Sequence, residues 1–307
     1  MKLMQKAIRC LTDEAYRFDI QNVLGWHRGM SDEAYLKKKY RLTFGRDCDL
    51  ENPKTFTEKL QWIKLYDRRP IYTVMVDKAA AKEYVQSVIG AEHVVPTIAV
   101  YDDVSQIDFQ SLPQKFVMKC THNSGRGMCI CTNKDELDQS RVRRGLEQGL
   151  REDYYLTNRE WPYKNVKPRI IVEQFLEDRV DGELRDYKFF CFNGEPKVLY
   201  IAQGRGQSET FADFYDMDFQ HLDLKIDHEI APQPPHKPVC FEQMKAFAAK
   251  LSKDIPHVRV DFYEVNGHVY FGELTFFHCS GFEAFHPEWW DEIFGSWIRL
   301  PEKTITD

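Results

Sequence analysis

Residues 257–281 read HVRVDFYEVNGHVYFGELTFFHCSG. Val258, Val260 and Phe262 alternate with Arg259, Asp261 and Tyr263; Asn266-Gly267 then offers a tight turn, and Val269, Phe271 and Glu273 run back along a second alternating segment. Period-two apolarity on both sides of an Asn-Gly pair predicts a β-hairpin. It places Asp261 on one strand and Glu273 on the other, near one another in an approximate register, with Arg259 beside Asp261. Two carboxylates on rigid strands suit a Mg²⁺ ion bridging substrate phosphates, because Mg²⁺ takes hard oxygen ligands and completes its shell with water and phosphate. The competing reading is a solvated sheet face that happens to bear two acids.

The remaining composition narrows the choice. The chain has 307 residues, 43% of them hydrophobic and 21 of them Phe, enough for two packed lobes. A formal net charge of -6 argues against a general nucleic-acid binder, which needs a basic footprint. The opening MKLMQKAIRCLTDEAYRFDI is charged throughout, so neither a signal sequence nor a transmembrane segment is expected, and a cytoplasmic location follows as the expectation. The eight cysteines are scattered and read as reduced thiols. Only Cys129-x-Cys131 is close-spaced, and without a second pair to complete a zinc tetrad it reads as packing.

Along the chain, residues 1–40 read as helical, with a second helix from Ser31 to Tyr40. Trp26-His27-Arg28 reads as a packed tryptophan with solvated neighbours, the alternative being contact with a substrate or a membrane surface. Thr55 or Asn52 can cap the next helix. Asp77 can cap another through Val85, which puts Lys78 in a first turn, a poor place for a cation unless an anion is near. An edge strand is expected at 94–100. A hairpin follows, from 115–119 through the loop THNSGRG to 128–131, and then a helix at 135–150 and a long loop at 153–168. A buried strand at 169–176 precedes a second hairpin, 184–201, turning at Asn193-Gly194. The acidic, aromatic stretch 211–219 has no obvious partner, a helix spans 241–251, and an aromatic tail, 282–300, packs as a terminal helix. The class is α+β, divided as 1–50, 51–114, 115–176 and 177–307.

A nucleoside triphosphate asks a protein for cations, for backbone N–H groups that close over its phosphates, and for metal-holding carboxylates. Lys119 stands before a loop with Gly125 and Gly127, where the absence of Cβ lets backbone approach phosphate. Such a loop alone is weak evidence, and it is neither a P-loop nor a dinucleotide fingerprint. Lys78, Lys119, Arg126, Lys188, Arg259, Asp261 and Glu273 together are more specific. Their order resembles that of the ATP-grasp ligases, and most closely the branch related to the teichuronopeptide biosynthesis protein TupA. The segments FGRDCDLENPKTFTEKLQWIKLYDR, DKAAAKEYV, KFVMKCTHNSG, VEQF, DYKFFCFNG and RVDFYEVNGHVYFGELTF carry the resemblance.

The resemblance implies an ATP-grasp fold whose two α+β lobes enclose a nucleotide, with ATP and Mg²⁺ as cofactors. It implies Lys78 and Lys119 as nucleotide-lobe lysines, and Asn123, Ser124, Gly125, Arg126 and Gly127 as a lid over the β/γ-phosphates. Glu173, Gln174, Phe175 and Leu176 would be the interlobe strand that reads adenine, with Glu173 or Glu183 on the ribose. Lys188 or Arg185 would face the γ-phosphate or the acceptor, with Arg259 close by, and Asp261 and Glu273 would hold metal. One departure stands out: Glu273-Leu274-Thr275 replaces the family's Glu-x-Asn, leaving Thr275 where an asparagine ligand is usual. His278, Ser280 and Gly281 either line the acceptor pocket or are structural. The expected activity is amide formation through an acylphosphate, joining a uronic acid or nucleotide-sugar to an amino acid or amine in association with polysaccharide assembly machinery. Sugar transfer by a glycosyltransferase, a sugar kinase and a non-catalytic nucleotide-binding scaffold are the alternatives.

Overall fold

A computed structural model describes residues 9–178, 184–204 and 210–303. Two antiparallel sheets organise it. Strands β1 (Thr97–Tyr101), β2 (Phe116–Cys120), β3 (Cys129–Cys131) and β4 (Ile170–Gln174) form the smaller, in the order β1-β4-β2-β3. The larger has the order β10-β9-β5-β6-β7-β8, built from β5 (Asp186–Phe192), β6 (Glu195–Gln203), β7 (Phe211–Tyr215), β8 (His221–Leu222), β9 (His257–Val265) and β10 (His268–Thr275). The helices are α1 (Glu14–Val23), α2 (Asp32–Phe44), α3 (Phe56–Tyr66), α4 (Ile71–Val76), α5 (Ala80–Ile89), α6 (Gln139–Leu150), α7 (Tyr155–Asn158), α8 (Phe241–Leu251) and α9 (Trp289–Trp297). None is long and apolar enough to cross a membrane.

The larger sheet is covered on both faces. Phe189 and Phe262 pack towards Phe241 and Phe247 of α8, while Phe190, Phe192 and His257 pack towards Phe56 of α3 and Phe294 of α9. A strand buried on both sides loses its polar alternation, which is why β5 reads DYKFFCF and is buried along its whole length. The smaller sheet has its own core, in which Phe116, Met118, Ile170 and Val172 meet Leu146 of α6.

Local signals fix the element ends. Ser31 accepts from the Ala34 N–H at the start of α2, and Gly45, at φ 69°, closes it. Thr55, rather than Asn52, caps α3 in a reciprocal capping box with Glu58. Asp77 accepts from the N–H groups of Ala79 and Ala80. Lys78 therefore sits in the turn before α5 and not in its first helical turn, and its own N–H donates to Thr121 O at 3.1 Å.

Three expectations change. The stretch 211–219 supplies β7, paired with β6, and its Asp213 has a partner in His221 at 2.9 Å. The segment 153–168 is a loop interrupted by α7 and by a 3-10 turn at Trp161–Tyr163. Trp26 is not packed: 70% of it is exposed.

The hairpin turns at Asn266 and Gly267, both in the left-handed region that a two-residue type I′ turn requires. From there the register is regular as far as Phe271 opposite Phe262. A bulge at Gly272 then shifts it, so that Glu273 lies opposite Asp261 and Thr275 opposite Arg259. Strict alternation would leave Glu273 on the face of Val269 and Phe271, in the core. The bulge rotates it onto the face of Asp261.

Candidate functional site

Asp261 is the centre of the larger sheet's polar face. Lys188, opposite it on β5, donates to Oδ2 at 2.7 Å, and Arg259 grips both oxygens, Nε on Oδ1 and Nη2 on Oδ2, each at 2.7 Å. Asp186 adds a second carboxylate 3.8 Å from the Lys188 ammonium. Burial pushes the Asp261 carboxyl up, but Arg259 and then Lys188 outweigh it and hold it down at about 2.

Arg259 is tethered further. Nη2 reaches Thr275 Oγ1 at 3.1 Å and approaches Glu273 at 3.5 Å, and Nη1 lies 2.7 Å from His278 Nδ1. A guanidinium only donates, so His278 accepts at Nδ1 and its proton belongs on Nε2. Burial, then Arg259 and Lys188, hold this imidazole well below its ordinary range and keep it neutral. Its Nε2 stands 3.6 Å from Cys279 Sγ, which lies 3.7 Å from Asp227, itself accepting from the Tyr200 hydroxyl at 3.1 Å. Asp227, His278 and Cys279 have potential ligand atoms within 4.8 Å of one another. A metal there would need the Nε2 lone pair while Arg259 occupies Nδ1, which demands an imidazolate. The group is a hydrogen-bonded chain that backs Arg259.

Glu273 faces the cleft with 45% of its side chain exposed. Burial and the adjacent Asp261 push its carboxyl up; Lys78, Lys188 and Arg259 together prevail and keep it low. Among the described residues, Asp261 Oδ2 accepts two donors and Oδ1 one, which leaves Oδ1 a lone pair, and the Glu273 carboxylate is engaged through long contacts, at 3.5 Å from Arg259 and 3.4 Å from Thr275. Two opposed carboxylates with oxygen lone pairs to spare fit Mg²⁺ as a donor set. Thr275 is engaged with both Arg259 and Glu273.

The smaller sheet, through Lys119, and the start of α5, through Lys78 just before it and Lys82 in its first turn, bring cations to the same cleft. Glu173 on β4 is clasped between Lys82 at 2.5 Å and Lys119 at 2.6 Å; burial pushes it up, and the two lysines, Lys119 first, bring it below its usual value. Lys78 is depressed chiefly by burial, and its ammonium donates to the Asn123 carbonyl. Lys78, Lys82, Lys119, Glu173, Glu273 and Tyr163 line one small cavity between the sheets. Four of these six, Lys78, Lys119, Glu173 and Glu273, are among the residues expected from the sequence. Lys82 follows Lys78 in DKAAAK and lies in the first turn of α5. Tyr163 lay in a segment read as loop.

The glycine loop divides in two. Thr121, His122 and Asn123 are buried, with His122 bonded to Glu152 O at 3.1 Å and Asn123 to the Glu152 carboxylate at 2.9 Å. Ser124, Gly125 and Arg126 are exposed, and Arg126 lies 3.7 Å from Glu152. Gly125 has open space around it at φ 81°, whereas a Cβ on Gly127 would stand 2.8 Å from Cys120 Sγ, so Gly127 is held by packing against α6. Gln174 is exposed and donates its N–H to Pro96 O at 3.0 Å; Phe175 and Leu176 continue half-buried from the end of β4. Arg185 directly precedes β5, and Glu183 lies outside the described residues.

Among solved structures, the chain is similar to the D-alanine–D-alanine ligase of Helicobacter pylori, at 16% identity over 66% of this chain and 54% of that one, with a TM-score of 0.40. It is similar to the Bacillus anthracis D-alanine–D-alanine ligase complexed with ATP, at 15% identity over 66% and 54%, TM-score 0.38. The ATP-grasp ligase PsnB, complexed with minimal precursor, Mg and ADP, matches at 12% identity over 71% and 57%, TM-score 0.38. The chain thus spans little more than half the length of these proteins. No curated protein matches it at the level of sequence. Residues 58–299 match the family described as TupA-like ATPgrasp, a span that contains both sheets and every described residue of the cleft. The chain belongs to the TupA-like ATP-grasp family.

Proposed function

We propose that this chain is an ATP-dependent carboxylate–amine ligase that works through an acylphosphate. The observation that carries the reading is the meeting of Lys78, Lys82, Lys119 and Glu173 with Glu273 in one cavity, beside the Asp261–Arg259–Lys188 cluster. In the proposed reaction a carboxylate oxygen attacks the γ-phosphorus of ATP and the bond to the β-phosphate oxygen breaks, releasing ADP. An amine then attacks the acyl carbon, phosphate leaves with the bonding pair, and the amine's proton passes to water.

Lys119 and Lys78 meet the nucleotide phosphates, exchanging Glu173 and the Asn123 carbonyl for phosphate oxygens. Among the described residues, Arg259 keeps one Nη1 N–H, and Lys188 two N–H groups, beyond their short bonds to Asp261 and its neighbours. Those donors are aimed by the buried cluster before reaction, which is where electrostatic stabilisation of a transferring phosphoryl group comes from. Asp261 and Glu273 would hold Mg²⁺, which neutralises phosphate charge when bound. The glycine loop excludes water that would hydrolyse the acylphosphate. We assign the substrates to cell-surface polysaccharide synthesis, a uronic acid or its nucleotide-sugar joined to an amino acid or amine, on the family's kinship to TupA.

Mass spectrometry of the protein incubated with ATP, Mg²⁺ and a panel of uronates, nucleotide-linked uronates and amino acids tests this. The expected product is heavier than the uronate by one amino acid less one water, with ADP formed in equal amount. A phosphorylated sugar, or a glycoside formed without ADP, contradicts it.

A further inference from the structure

We infer that the turn at the end of α1 is a docking surface for an anionic lipid bilayer. Val23, Leu24 and Trp26 are 79%, 63% and 70% exposed, three large apolar side chains within four positions. The turn is held in this pose. His27 is drawn inward to stack on Phe18 at 4.2 Å, and its carbonyl accepts from Arg159 at 2.7 Å, so Trp26, its neighbour in sequence, is turned out. Asn22 adds bonds to the carbonyls of Leu156 and Thr157, both at 3.0 Å. An apolar tip fixed outwards by a ring stack and three hydrogen bonds is not a loosely packed end of a helix.

Charge selects the partner. Of the described residues, 9–45, up to the glycine that closes α2, carry seven lysines and arginines against five aspartates and glutamates, within a chain that totals 42 against 48. A basic end on an acidic body is attracted to anionic surfaces and turns the rest of the molecule away from them. Arg28 and Lys38 are exposed near the tip, and among the described residues neither has a carboxylate partner. Tryptophan favours the headgroup boundary, where its ring is half desolvated, and a short apolar tip needs flanking cations to stay bound. The same turn is bonded to 156–159, the segment leading to Tyr163 in the cleft, so a docked bilayer would lie beside that wall of the site.

Co-sedimentation of the full chain with vesicles tests the inference, comparing phosphatidylcholine alone with phosphatidylcholine containing phosphatidylglycerol. The expected result is binding to the anionic vesicles at low salt, lost at high salt, and weakened about tenfold in each of Trp26→Ser and Arg28→Glu. Both residues are exposed, so circular dichroism should match the parent. No binding to anionic vesicles overturns the inference, as does binding indifferent to lipid charge. A concentration-dependent dimer that Trp26→Ser abolishes would assign the face to a second copy of the chain and overturn it equally.

Discussion

Asp261 has two tasks that its type alone does not separate. It is a candidate metal ligand, and it is the counter-ion of two buried cations, Arg259 and Lys188. Removing one member of a buried ion cluster strands the others, at a cost of about 3–5 kcal/mol. Asp261→Ala should therefore lose stability on that scale, whereas Glu273→Ala, at a half-exposed position, should stay within about 0.5 kcal/mol of the parent. Both should abolish ATP-dependent turnover. Urea denaturation and ADP release check the pair, and full activity in Glu273→Ala would remove it from the metal site. His278 is a positioning residue acting through Arg259. His278→Leu deletes the acceptor of a charged hydrogen bond, a change of about 1.5–3 kcal/mol, and should lower kcat by roughly ten- to a hundredfold. His278→Asn, whose Oδ1 can take the place of Nδ1, should recover part of that loss. Equal rates in the two variants would make the histidine mere packing. The residue types in RVD and GELT were legible in sequence. That Arg259 is committed to His278 was not, because the two are nineteen positions apart and only the fold joins them.

At the scale of elements, the hairpin was readable because Asn-Gly and two apolar alternations agree. Its bulge was not: a single glycine interrupts an alternation whether or not the register shifts. Yet Gly272 decides which face Glu273 takes. A Cβ added there would lie 3.1 Å from the Asp261 carbonyl and 3.3 Å from the Tyr263 ring. Gly272→Val should cost about 1–3 kcal/mol through forced displacement and reduce turnover further, by moving Glu273 from Asp261. Thermal unfolding and ADP release check both; an unchanged Tm with full activity would mean that the bulge has no role. The turn 278–281 carries strain of a related kind, with Cys279, Ser280 and Gly281 consecutively left-handed at φ 47°, 56° and 66°. Two of the three are not glycine, a cost of about 1–3 kcal/mol each. The Ser280 carbonyl accepts from Lys64 at 2.8 Å and the Gly281 carbonyl from Gln61 at 3.0 Å, so α3 holds the turn that carries His278. The stretch that forms β7 showed no partner in sequence because its partners are set by the fold: β6 pairs its backbone and His221 meets Asp213.

The whole molecule brings Lys119 and Glu173 of the smaller sheet, with Lys78 just before α5 and Lys82 in its first turn, against a large sheet with buried acids, and the site is the seam. Much of that seam was legible as residue types in order, since lysines, a glycine loop and two carboxylates are what a triphosphate requires. The pairing of Lys82 and Lys119 on Glu173, and the arrival of Tyr163, depend on how separate segments fold together. Burial also sets the pH response. Desolvation depresses His257 to about 3 and is the first cause that holds His278 well below its ordinary value, while in the unfolded chain both titrate near 6.5. The unfolded state binds the extra protons, so this part of the stability is complete above about pH 6.5 and is lost as pH falls towards 3, at roughly 1.4 kcal/mol per pH unit for each histidine. Urea midpoints taken at falling pH should drop accordingly, and His257→Leu should flatten the slope by one proton's worth; a flat profile in the parent would contradict the buried neutral histidines. In the proposed reaction a carboxylate oxygen attacks ATP. That attack is tested most directly by turnover of a carboxylate substrate labelled with heavy oxygen, followed by mass analysis of the released phosphate. The expected result is one labelled oxygen in phosphate for each amide formed. Unlabelled phosphate, with the label retained in the product, would contradict it.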